Sequence, residues 1–187
     1  MFRHHFMPAA LVLALTTPFA AADEITDALT SALGAYQDGD VKYALEELDY
    51  AKQKLTELQV DALAQYLPEA PAGYTREMNT EMSAGMMLMG GGTGAEATYS
   101  NEAGDSFTVT LIADNPMVGA MAGMLGNPAA IGAKVERIGR QKMMLQDGEV
   151  TGLVDNRILV QAKGEDTALM LEVLKTMDFR ALMDFGR

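Results

Sequence analysis

Cysteine is absent from all 187 residues, which excludes disulfide scaffolds, thiolate nucleophiles and cysteine-ligated zinc. Histidine is almost as scarce: only His4 and His5 occur, both at the start of the chain. Basic side chains number 14 against 26 acidic ones, giving a net charge of −12. That balance argues against nucleic acid and anionic membrane surfaces as main partners. No stretch beyond residue 22 reaches the ~18 apolar residues that a membrane span needs. What is present is an apolar share of 49%, enough for one sizeable core, and 15 methionines.

The first residues read as an address. Arg3 and the two histidines precede an uncharged apolar run at 8–19, followed by Ala20-Ala21-Ala22 and then Asp23-Glu24. This is the pattern of a secretory signal peptide, with cleavage expected after Ala22 and export to the periplasm. Cleavage removes both histidines, leaving a chain without the commonest general acid–base group and transition-metal ligand. Ser31, Ser83, Ser100 and Ser106 fall in no Ser-x-x-Lys or Gly-x-Ser-x-Gly arrangement. Carboxylate or lysine chemistry is what remains, and the expectation is a protein that is not an enzyme and carries no cofactor.

Residues 25–67 predict two helices, 25–38 and 41–67, around the turn signal Gly39-Asp40. In the second, Val41, Ala44, Leu45, Leu48, Ala51, Leu55, Leu58, Ala62 and Tyr66 recur every three or four residues, an amphipathic stripe. Pro68 and Pro71 end it. Small Ala32 and Ala44, the Gly39-Asp40 turn, large Leu48 and small Ala51 make 29–55 resemble a single tetratricopeptide-like helical hairpin. The resemblance is partial, since that family's first-helix aromatic and closing proline are missing, and any amphipathic helical hairpin shares the pattern. It implies close packing of two helices through small residues. Such repeats stack in three or more copies, so a lone hairpin must dock its apolar face on the rest of the chain or on a partner.

After a linker at 68–74 the period changes to two. Strands are expected at 75–82, 96–100, 106–113, 134–138, 142–146, 149–154 and 158–163, and helices at 166–177 and 179–185. Asp147-Gly148 and Asp155-Asn156 are favoured hairpin turns. The fold class is therefore α+β: an N-terminal helical hairpin at 23–67, then a mostly antiparallel sheet with C-terminal helices at 75–187. The arrangement of hairpins and helices is loosely similar to PsbP/Mog1-like domains and to uncharacterised exported proteobacterial proteins, a likeness that bears on fold alone.

Four features compete for a functional role. The methionines cluster as Met78, Met82, Met86, Met87 and Met89, and again as Met117, Met121 and Met124. Thioethers are soft ligands, so Met82, Met86, Met87 and Met89 offer a low-affinity Cu(I) site; the competing reading is adaptable apolar packing. Residues 116–125 hold no polar side chain on any helical face, so the segment is either buried whole or meets a partner. The run Gly90-Gly91-Gly92-Thr93-Gly94 lacks the following helix of a dinucleotide site and reads as a loop. Lys134, Arg137, Arg140 and Lys142 gather on one hairpin, either to meet an anionic partner or to guard a strand edge.

The reading that results is an exported, non-enzymatic envelope protein that recognises another envelope protein or an apolar ligand. Its contact residues are expected at Met117, Val118, Met121 and Met124, with Met86, Met87 and Met89 beside them. The alternative is Cu(I) binding.

Overall fold

Two periodicities in the chain give two kinds of structure. The computed structural model describes residues 19–79, 91–125 and 132–187. It divides between Leu55 and Thr56 into two units, each with its own packing.

The first unit is a helical hairpin of α1 (Phe19–Gln37) and the leading part of α2 (Val41–Ala64). The turn is the expected one. Gly39 takes φ +83°, a conformation that costs a side-chain-bearing residue strain, and Asp40 Oδ1 accepts from Tyr43 N at 3.1 Å to cap α2. The seam is built from alanine: Ala28, Ala32 and Ala35 on α1, Ala44 and Ala51 on α2, all buried with Ile25. On one flank Ser31 reaches Tyr43 at 3.4 Å, while Glu24 receives Tyr50 and Lys54 at 3.4 and 3.5 Å. These contacts pair early α1 with late α2 and so fix the helices as antiparallel. Helix α1 starts earlier than expected because Ala20–Ala22 continue it without a break.

The second unit is a seven-stranded sheet with helices. Its strands are β1 (Tyr74–Asn79), β2 (Thr93–Asn101), β3 (Ser106–Ala113), β4 (Lys134–Ile138), β5 (Gln141–Gln146), β6 (Glu149–Val154) and β7 (Ile158–Gly164). The order is β1-β2-β3-β7-β6-β5-β4, with every neighbouring pair antiparallel. Two meanders are thus stitched together where β3 meets β7. Helix α3 (Pro116–Leu125) lies on the connection from β3 to the far edge. Helices α4 (Thr167–Lys175) and α5 (Phe179–Met183) close the chain, capped by the carboxylates of Asp166 and Asp178.

Register makes one sheet face apolar. Ala95, Leu111, Val160, Gly152 and Met143 form one row across it, and Ala97, Val109, Ala162, Val150 and Leu145 the next. Leu63 of α2, Leu67 just beyond it, Met170, Val173 and Leu174 of α4, and Leu182 and Phe185 pack with these residues into the main core. The opposite face mixes a polar row, Glu96, Thr110, Gln161 and Thr151, with one that carries Ile112, Leu159 and Leu153. The sequence boundary at 67 therefore differs from the structural one. The last turns of α2 belong to the sheet unit, because Leu63 and Leu67 are buried in its core.

Candidate interaction surfaces

The hairpin presents its large residues outward. Leu29, Leu33 and Tyr36 on α1 are 44, 57 and 68% exposed, and Val41, Leu45, Leu48 and Leu55 on α2 are 46–57% exposed. Positions 29, 33 and 36 each follow a seam residue by one, a rotation of about 100°. Leu45 does the same on α2, while Leu48 and Leu55 follow seam alanines by four, a rotation of about 40°. Both helices are right-handed and antiparallel, so rotation of the same sign brings both stripes to one side of the hairpin. Lys52 falls within this face and Asp49, four residues after Leu45, on its rim; Glu24, Asp27 and Glu47 point to the other flank.

Sequence patterning alone does not separate these leucines from the seam, since both sets share the helical period. The signal that distinguishes them is alanine at 28, 32, 35, 44 and 51. A seam of methyl groups draws two helices together and leaves the larger neighbours outside.

Helix α3 carries the second apolar surface. Asn115, 6% exposed, caps it: its Oδ1 accepts from Met117 N at 2.8 Å, and its Nδ2 donates to Gly91 O. Gly92 lies so close beneath that an added Cβ would stand 2.8 Å from Ala113 O. Met117 is exposed and Met121 half-buried, whereas Val118 is buried at 2%. Val118 is therefore a packing residue, and the outward ridge belongs to Met117 with Ala120 and Gly123. The Met124 side chain lies outside the described residues, as do Met82, Met86, Met87 and Met89. The Cu(I) alternative thus gains no observation. Among the described residues no group of three or more histidine, aspartate or glutamate side chains is placed to hold a metal ion.

The glycine run leads into β2 at Thr93, a strand and not the helix that a phosphate site requires. The basic cluster falls on β4 and β5, with Arg137 directly opposite Lys142 and β4 at the sheet edge. Like charges facing each other there cost pairing energy and discourage a foreign strand from adding to the edge.

Among the described residues, two clefts of the sheet unit have sizeable volumes. One, of about 760 Å³, lies at the β2–β3 turn with Tyr74, Phe107 and three carboxylates, Asp105, Glu165 and Asp166, along its walls. Asp105 is held by Asn101 at 2.8 Å, and Asp166 caps α4 through Leu169 N at 2.9 Å. The other, of about 600 Å³, runs between residues 65–71 and α4 past Tyr66, Pro68, Val173 and Met177. Among the described residues neither cleft is lined by a histidine or a lysine.

Among the described residues Tyr99 is the group with a clearly shifted ionisation, and its role is structural. It is fully buried, stacks on Phe107 at 4.6 Å and donates to Pro68 O at 2.6 Å. Arg76 donates to Leu67 O and Pro68 O beside it, at 3.2 and 2.9 Å. Burial pushes the phenol pKa from 10.0 up to about 12, against the opposing pull of Arg76. The folded state thus holds the proton more tightly than the unfolded chain. The resulting stabilisation is fully present below pH 10 and is lost as pH rises from 10 to 12. Unfolding free energy is expected to fall by about 2 kcal/mol more in the parent than in Tyr99→Phe across that window. Denaturant titrations at stepped pH measure it, and parallel curves for the two proteins would contradict it.

No protein-family model, curated protein or solved structure matches the chain. No helix among the described residues is long and apolar enough to cross a membrane.

Proposed function

We propose that this is an exported, non-catalytic protein of the bacterial envelope that works by recognising a protein partner, and that it docks through the outward face of its helical hairpin. The observation that carries this reading is the distribution of apolar surface. Of thirteen large exposed hydrophobic residues among the described ones, seven form the stripe from Leu29 to Leu55. A monomer gains nothing by keeping such a stripe in water, and contiguous apolar surface of this kind marks contact sites. The α3 ridge around Met117 is the smaller, accessory surface. Export is supported by the pattern of residues 1–22, and cleavage after Ala22 places Asp23 and Glu24 in the first turn of α1, where negative charge suits the helix dipole.

Photocrosslinking in living cells tests the reading. A benzophenone side chain at Leu33 or Leu45 is expected to yield discrete adducts, and one at Asp27 on the other flank to yield none. Equal labelling at all three positions would overturn it. Intact mass of the same exported material is expected to show a chain beginning at Asp23.

A further inference from the structure

Because both helices contribute to one stripe, the apolar face is two helices wide, and a second two-helix face completes it. Resting on the reading of this stripe as the docking surface, we propose that its occupant is a second copy of the same chain. The two hairpins would pack face to face, Leu29, Leu33, Tyr36, Leu45, Leu48 and Leu55 at the centre, as a four-helix bundle with two-fold symmetry.

Area supports this. The exposed fractions of the stripe residues, 44–68%, correspond to roughly 700 Å² of side-chain surface per chain. That exceeds the ~300–600 Å² of the largest patch on an ordinary monomer and approaches the ~800 Å² that each partner contributes to a stable interface.

Charge selects the occupant. The chain carries −12 overall, and residues 23–70 hold 11 acids against 3 bases, so two copies repel except where acids are missing from the contact. The stripe comes nearest to that: the acids of its two helices sit on the opposite flank except Asp49, which stands on its rim three residues before Lys52. A basic partner would be met by several carboxylates on the contact face, and an anionic membrane by a basic rim, whereas the stripe offers one of each charge, Asp49 and Lys52. A symmetric interface must also be complementary to itself, a condition that a mainly apolar face with one charge of each sign meets.

Sedimentation equilibrium of the purified exported chain, from micromolar to ~100 micromolar, tests the proposal. The parent is expected to sediment as a concentration-dependent dimer. Leu33→Glu/Leu48→Glu is expected to weaken it at least 100-fold with an unchanged circular dichroism spectrum, since both positions are already exposed in the single chain. A parent that stays monomeric throughout overturns the second copy. In that case adducts at Leu33 to a different protein leave the docking face standing, and their absence removes both. A dimer untouched by the double variant places the interface elsewhere and also overturns the proposal. The mass of the Leu33 adduct formed by the otherwise unaltered chain decides the matter even where the variant misfolds. Twice the chain mass supports a second copy, and any other mass refutes it.

Discussion

Arg157→Met is expected to lower the unfolding free energy of the sheet unit by about 3 kcal/mol, read as a shift of the urea midpoint at unchanged slope. Arg157 leaves the β6–β7 turn and reaches Asp114, at the end of β3, through Nη1 at 3.0 and 2.9 Å. Its Nη2 donates to the carbonyls of Met183 and Phe185, and Asp155 stands 3.8 Å from Nε while also receiving Arg187. One side chain therefore ties the sheet end to the last turn of α5. Its removal strands two main-chain carbonyls and takes the Arg157 cation from Asp114, while Asp155 keeps Arg187. Each hydrogen bond to a charged group contributes about 1.5–3 kcal/mol. The total stays at the low end of the 3–5 kcal/mol for breaking a buried pair, because Asp114 is 54% exposed and its carboxylate keeps its water. Arg157→Lys keeps the charge but not the planar fork, and is expected to recover less than half of the loss. A shift below ~1 kcal/mol for the methionine variant would show the network to be ornamental.

The strands of this fold are legible in the sequence because strand pairing is written locally. At 106–113, 134–138 and 149–154 alternation and turn residues give the observed bounds. Sheet order is not legible. The connection between β3 and β4 names no direction, and the β3–β7 pairing that joins the meanders depends on residues about fifty positions apart. The Arg157 network is hidden for the same reason, since Asp114 and Arg157 meet across 43 positions. The exposed apolar stripe is hidden differently. Its leucines and the seam alanines share one period, so periodicity marks an amphipathic helix without saying which half faces the neighbour. Volume decides that, and the small residues win the seam. On α3 the sequence correctly marks an apolar segment, but which of Met117 and Val118 points outward depends on the helix phase, set by the Asn115 cap.

Gly92→Ala tests whether that cap is as tightly seated as the geometry requires, and is expected to cost about 3–4 kcal/mol. The backbone at Gly92 has φ +96°, and a Cβ there would lie 2.8 Å from Ala113 O and 2.9 Å from Asn115 Cβ. The first obstacle is main chain at the end of a central strand. The second is the cap residue itself, fixed by its bonds to Gly91 O and Met117 N. Neither can swing aside as the tip of a long side chain would, so the strain must displace the start of α3. Gly91→Ala supplies the comparison: its φ is +89°, yet nothing lies within 4 Å of the added atom. It bears the conformational cost alone, about 1–2 kcal/mol. Hydrogen exchange separates the two outcomes, because loss of the cap exposes the Met117 and Val118 amides in Gly92→Ala and spares them in Gly91→Ala. Equal destabilisation and equal exchange in both variants would mean that backbone conformation, not contact with Asn115, is what demands glycine beneath α3.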